Sequence, residues 1–268
     1  MYGTAAVRVF RNARPWARPR AGAERDRHVF VVGSPRSGTT FFAGVLGQQP
    51  GLVDLSEVKP LKAAIPRLVA LPEDESARQL RRMLDAIRRL GLAGGMRGVE
   101  QTPETTFLVG AALRAYPRAQ AVHMLRDGRD VVCSLIERGW LSDRRADADD
   151  AGQAYGTHAR FWVEPERRVE FAQASEATRA AWVWRRYVTA ALGAGDRALE
   201  VRYEDMAADP AGTAGRVAAH LGLETAPLAR ALATVHAGSV GRWRRDLDEH
   251  QLADVEREAG SLLRELGY

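Results

Sequence analysis

The sequence predicts an α/β protein with a central parallel sheet flanked by helices on both faces. Short runs of apolar, often β-branched residues recur far apart in the chain, at His28–Gly33, Gln120–Arg126 and Ala198–Tyr203. Continuous runs of this kind belong to strands buried on both faces. Between them lie stretches with helical spacing, at about 76–90, 104–115, 130–138 and 174–193. Strands separated by helices close into a parallel sheet, because neighbouring parallel strands need a long crossover connection.

Size and composition agree with one folded domain. The 268 residues are 46% apolar and 27% charged, enough to bury a core and too apolar for a wholly disordered chain. Cys133 is the single cysteine, which excludes an internal disulfide and a cysteine-based zinc site and points to a reducing compartment. No run reaches the roughly 18 apolar residues of a membrane span, and no apolar stretch of a secretory signal opens the chain, so a soluble cytoplasmic protein is expected. The net charge of +5 favours an anionic partner without naming it. Two of the 39 basic residues are lysines, Lys59 and Lys62, and the other 37 are arginines, whose planar fork suits phosphate and sulfate oxygens. A coding bias towards Ala, Arg and Gly accounts for most of that skew.

Residues 1–27 carry seven arginines, from Arg8 to Arg27, broken by Pro15 and Pro19 and lacking periodicity. They are expected to form a mobile basic arm ahead of a domain spanning 28–268. In that domain the first strand runs into Gly33-Ser-Pro-Arg-Ser-Gly-Thr-Thr40, and a helix begins near Thr39. A loop between strand and helix aims backbone N–H groups and a helix N-terminus at one point, which favours an anion. The alternative is a turn that merely links two elements. Strand, loop and helix in this order make the predicted three-layer fold P-loop-like, with Arg36, Ser37, Gly38, Thr39 and Thr40 as the anion-binding residues. Nucleoside triphosphate hydrolases carry a lysine after the last loop glycine. Here Thr39 stands there, so the loop suits a phosphate group that needs no magnesium triphosphate clamp.

Further along, Leu55-Ser-Glu57-Val-Lys59-Pro-Leu-Lys62 groups a carboxylate with both lysines. Glu57 reads either as a base or as a solvated acid at a helix start. The segment Leu125-Arg-Asp-Gly-Arg-Asp-Val-Val-Cys-Ser134 ends a strand and opens a helix on which Ser134 and Arg138 share a face. With Arg126 at the strand end they form a second candidate anion pocket, against the alternative of a solvated Arg/Asp-rich loop. Val131, Val132, Cys133, Leu135 and Ile136 read as core. Residues 141–175 are polar and aperiodic as far as Phe161-Trp162, and are expected to be a loop or lid over the acceptor site. Arg202-Tyr-Glu-Asp205 ends the third strand, Asp209-Pro210 starts a helix, and Leu247–Leu266 is an amphipathic helix stopped by Gly267.

Over about 28–138 and 180–268, these motifs in this order resemble the sulfotransferases that use 3′-phosphoadenosine 5′-phosphosulfate (PAPS), especially the branch containing tyrosylprotein and carbohydrate sulfotransferases. PRSGTT resembles their 5′-phosphosulfate loop. RDGRDxxxS resembles their 3′-phosphate motif, which implies Arg126, Ser134 and Arg138 as its ligands. The match to RYED implies Tyr203 beside the adenosine, and Ser239-Val-Gly-Arg-Trp-Arg244 resembles a basic closing loop, implying Arg242 as a further phosphate ligand. The resemblance places the catalytic base at Glu57, with Arg36 beside the transferring group. It implies direct in-line transfer to a hydroxyl without metal; the short lid and the lack of a secretory signal favour a small metabolite as acceptor, with a sugar or a tyrosine as alternatives. His123 and His158 are rival bases, because another branch uses histidine. One residue departs from the pattern: where the family has a lysine before a Thr-Pro or Asp-Pro pair, this chain has Gln101. Lys59, Lys62 or Arg36 is then left to supply the charge. A P-loop small-molecule kinase and a nucleic-acid binder are the rival classes. The missing loop lysine and the missing recognition motifs argue against them.

Overall fold

The computed structural model describes residues 26–90, 96–142 and 160–268. All but the last two residues of the expected basic arm, His158 and the middle of the expected lid lie outside these. From the N-terminus the elements are β1 (Val29–Val32), α1 (Thr39–Leu46), β2 (Leu52–Asp54), α2 (Lys59–Val69), α3 (Glu73–Leu90) and β3 (Arg97–Glu100). A 3-10 turn at Pro103–Leu108 leads into α4 (Val109–Ala115), followed by β4 (Gln120–Leu125) and α5 (Gly128–Arg138). The C-terminal part holds α6 (Arg168–Gln173), α7 (Glu176–Leu192), β5 (Ala198–Arg202), α8 (Tyr203–Ala208), α9 (Pro210–Leu221), α10 (Thr225–Leu232), α11 (Trp243–Asp246) and α12 (Glu249–Glu265).

The sheet order is β2-β3-β1-β4-β5, with every neighbouring pair parallel. Val29 lies level with Val99 of β3 on one side and Gln120 of β4 on the other. All four residues of β1 are buried, as a strand covered on both faces requires. On one face Val31, Val122 and Met124 pack with Phe42 of α1 and Val217 of α9. On the other, Phe30 and Val32 pack with Leu61 of α2, Leu80 of α3 and Ala112 of α4. A third apolar group joins α5, α7 and α12 through Val132, Trp184 and Leu263. The expected α/β class and the flanked parallel sheet are therefore present. The chain steps from β1 to the β3 side and later crosses to β4. The crevice beside the C-terminal ends of β1 and β4 is thus the switch point at which open α/β sheets bind ligands.

Strands β2 and β3 and helices α6, α8, α10 and α11 extend the sequence reading, which gives α2 only as a helix start near Glu57. β2 is three residues long, and β3 reads Arg-Gly-Val-Glu yet is wholly buried. Arg97 donates to the carbonyls of Arg27 and Leu221, and one carboxylate oxygen of Glu100 accepts the Thr102 N–H while the other is buried without a hydrogen-bond partner among the described residues. α2 contains Pro60 in its first turn and Pro66 further in. Part of the span 141–175, expected as a loop, is packed structure: from Arg160 it forms a turn and α6, with Trp162 and Phe171 buried edge-to-face at 5.4 Å.

Candidate functional site

The loop after β1 is shaped by two glycines. Gly33 has φ +135°, and a Cβ there would stand 2.3 Å from the Met124 carbonyl oxygen of β4. Gly38, the residue before α1, has φ +90°, and a Cβ there would meet the Tyr203 ring at 2.8 Å. Both positions therefore require glycine, for conformation and for space. The Thr106 hydroxyl accepts the Gly33 N–H at 3.0 Å and pins the loop to the Pro103–Leu108 turn. Among the described residues, Arg36, Ser56 and Arg160 are the non-glycine residues with positive φ, at 70°, 56° and 50°. Two of the three mark the predicted site: Arg36 itself, and Ser56 just before Glu57. Backbone held in such sparsely populated conformations collects where surrounding structure fixes functional groups.

Arg36 carries the loop to the second pocket. Its Nε donates to Ser134 Oγ at 2.9 Å, and its guanidinium lies 5.7 Å from the Trp140 ring centre. Burial, with Arg138 and Arg126 nearby, makes the Arg36 cation less stable than a solvated guanidinium. Partly buried Arg36, buried Arg126 and exposed Arg138 form a site of positive potential that an anion would relieve. Arg126, just after β4, is buried and donates to the carbonyls of Arg36 and Ser239 at 3.2 and 2.6 Å, with its guanidinium 4.7 Å from the Tyr203 ring centre. Among the described residues, Arg126 Nε and Ser37 Oγ are buried without a hydrogen-bond partner. Two orphaned donors in one anion-shaped crevice fit the phosphates of a nucleotide.

The chain from His236 to Trp243 lies over this crevice. Asp130 on α5, wholly buried, accepts the Gly241 N–H at 2.7 Å and the Trp243 N–H at 3.0 Å. Tyr203 is buried, with its hydroxyl donating to the His236 carbonyl at 2.7 Å. Arg242 does not join the other arginines. It pairs instead with Glu137 at 3.0 Å and Asp246 at 2.6 Å, so both sides of its fork hold carboxylates. Asp130 is a buried residue of this candidate site that the sequence motifs do not single out, because an aspartate beside arginines reads as a solvated ion pair.

On the other side of the loop, the Asp54 carboxylate accepts the Ser56 N–H at 2.7 Å and the Thr102 hydroxyl accepts the Val58 N–H at 2.9 Å. These bonds hold Glu57, half-exposed, between them. Its partner is Lys62 of α2, whose Nζ is 3.7 Å from Glu57 and 3.1 Å from Glu104. Gln101 is buried and accepts from the Thr40 hydroxyl at 3.3 Å, so its side chain lies against α1. Burial pushes Glu100 up to about 7, with Glu104 adding to the effect. His123 of β4 is buried beside Gly33, and burial with Arg202 nearby lowers it to about 4, which keeps the ring neutral.

A glycine-turned loop at a helix N-terminus, faced by a second cluster of arginine and serine across the switch point of a parallel sheet, gives this α/β protein two candidate anion pockets. Residues 91–227 match the model of the Sulfotransferase family, and the chain belongs to that family. The matched stretch holds Arg126, Ser134, Arg138 and Tyr203. The fold is similar to the sulfotransferase domain of the Synechococcus PCC 7002 olefin synthase, at TM-score 0.56 and 16% identity over 94% of this chain and 98% of that one. It is similar to the sulfotransferase domain of the curacin biosynthetic pathway, at TM-score 0.59 and 13% identity over 88% and 97%. Mouse sulfotransferase SULT7A1, solved in complex with PAP, is similar at TM-score 0.50 and 14% identity over 90% and 89%. No curated protein matches the chain in sequence. No helix among the described residues is long and apolar enough to cross a membrane.

Proposed function

We propose that this sulfotransferase moves the sulfuryl group of PAPS to a hydroxyl of a small metabolite by direct in-line transfer, with Glu57 as general base. The observation that carries the donor assignment is the joining of two anion pockets by Arg36, which lies on the loop and donates to Ser134 on α5. PAPS has phosphates at both ends of its ribose, and the pair of pockets fits that separation of charge. The loop residues Arg36, Ser37, Gly38, Thr39 and Thr40 receive the 5′ end. Arg126, Ser134 and Arg138 receive the 3′-phosphate, and Tyr203 backs the crevice from beneath. Arg242 is left out of this set because its fork is engaged by two carboxylates. The mouse structure of the same fold, with its bound PAP, supports the reading.

On the acceptor side, Phe107 follows the loop-pinning Thr106 and packs edge-on against Phe161 at 5.4 Å, both rings partly exposed. An apolar wall of this kind suits the body of a small acceptor. Proton removal by Glu57 fits the chemistry of sulfuryl transfer, in which charge moves from the attacking hydroxyl to the leaving phosphate. Incubation with PAPS and a panel of small alcohols and phenols, followed by mass spectrometry, tests the function. A sulfated product with equimolar PAP is expected, and PAPS left intact with every acceptor class would overturn the proposal.

A further inference from the structure

We propose that Glu104 is a positioning residue for the transfer step: it holds Lys62 as a standing ion pair, so that Glu57 remains free to take up a proton. The inference rests on Glu57 being the base. Lys62 is 4% exposed, and its Nζ lies between two unlike carboxylates. Glu104, at 3.1 Å, has a side chain 1% exposed, whereas Glu57, at 3.7 Å, is 32% exposed and reaches solvent. The closer and drier contact is with the residue that has no part in the chemistry.

In the reaction the acceptor O–H bond breaks while its oxygen bonds to sulfur. The bond from sulfur to the 5′-phosphate breaks and leaves its electron pair on the phosphate oxygen, and the proton passes to Glu57. Glu57 thereby becomes neutral. A buried lysine paired with Glu57 alone would then lose its counter-charge, and the cost of that loss would oppose protonation. With Glu104 in place the ammonium stays paired at every stage.

Five parts of the chain bring charged or titratable groups to this place. The segment before α2 supplies Glu57, and α2 supplies Lys62 and the exposed Lys59. β3 supplies Glu100, the turn after it Glu104, and α7 supplies Tyr187, whose hydroxyl is 3.5 Å from Glu104. Glu100 and Glu104 are close enough to repel.

The test is a carbon-13 NMR titration of the Glu57 carboxyl, assigned by its disappearance in Glu57→Gln. It is recorded in the parent, Glu104→Gln, Lys62→Met and the double variant. Glu104→Gln should move the Glu57 midpoint to lower pH by roughly one unit, because Glu104 no longer competes with Glu57 for the Lys62 ammonium. Lys62→Met should move it to higher pH, and the double variant, which removes a neutral pair, should fall between the two. Midpoints unchanged in the singles, or shifted in the same direction, would overturn the proposal. If Glu104→Gln alone fails to fold, Glu104→Asp takes its place, since it keeps the charge but draws it back from Lys62: a Glu57 midpoint equal to the parent's leaves no role for Glu104. Failure of the base assignment is read separately, as PAPS turnover that survives Glu57→Gln.

Discussion

Arg36 on the loop after β1 and Ser134 on α5 are 98 positions apart in sequence and joined by a 2.9 Å hydrogen bond from Nε to Oγ. The bond makes one crevice of two motifs. Around it Arg126 and Arg138 stand close enough to destabilise the Arg36 cation, so a dianion at either end relieves repulsion already present in the folded protein.

The first consequence concerns ligand preference. 3′-Phosphoadenosine 5′-phosphate (PAP) should raise the melting temperature far more than ATP, which has no 3′-phosphate. At a hundredfold excess over Kd, one-site binding stabilises by about 2.7 kcal/mol. Arg126→Ala should erase most of the preference, since its guanidinium is a charge-assisted donor that ATP does not use. Equal thermal shifts from the two nucleotides in the parent would rule out the two-pocket reading.

Glu57→Gln retains size but cannot accept a proton at neutral pH. Turnover should fall by roughly 10²–10⁴-fold, the usual contribution of a general base, while the thermal shift with PAP persists. His123→Asn serves as the comparison. Loss of turnover in a stable His123→Asn protein, with Glu57→Gln within severalfold of the parent, would move the base to β4.

Glu100 makes stability depend on pH in the direction opposite to an ordinary paired carboxylate. Its folded value, raised to about 7, exceeds the usual 4.5, so between these pH values the unfolded chain binds fewer protons than the native state. Stability therefore declines as pH rises through that window. Glu100→Gln should be more stable than the parent at pH 8, by at most about 3 kcal/mol, and the advantage should vanish near pH 4. Urea unfolding at the two pH values measures the difference. A gain that is the same at both would mean that repacking, not ionisation, causes it.

Asp130 holds the closing segment by two backbone bonds, to Gly241 and Trp243. Asp130→Asn replaces one accepting oxygen with a donor that faces an N–H. It should cost about 1–3 kcal/mol locally, the usual penalty for orphaning a buried partner. Hydrogen exchange at the amides of Gly241 and Trp243 should quicken, and PAP should dissociate faster. Unaltered protection at both amides would show that the segment is held by other contacts.

Much of this arrangement is legible in the sequence because its signals are local. The runs at Val29–Val32 and Gln120–Leu125 are continuously apolar, and the loop glycines, the RDGRD segment and the Asp209-Pro210 helix start each state their structure within a few residues. β3 escaped because Arg97 and Glu100 look like surface residues; for Arg97 a partner far away in sequence, the Leu221 carbonyl, makes burial tolerable, and for Glu100 the nearby Thr102 N–H does part of the same. The extent of α2 escaped because Pro66 reads as a breaker inside it, whereas Pro60 falls in the first turn, where no N–H is needed. The pairing of Lys62 with Glu104 has no sequence signature, since it exists only once the helix and the turn have packed together.

The position of β1 at the centre of the sheet also has a kinetic side. Its two neighbours are level with it 70 and 91 residues later in the chain, Val29 with Val99 and with Gln120. During synthesis from the N-terminus, the most apolar strand leaves the ribosome well before either flanking strand exists to hydrogen-bond with it. Such non-local parallel pairing is slow and leaves an exposed edge while it waits. The strand that ends in the phosphate loop is thus also the one whose unpaired edges chaperones have most reason to cover, and the loop takes its shape only after β4 has arrived to receive Gly33 against Met124.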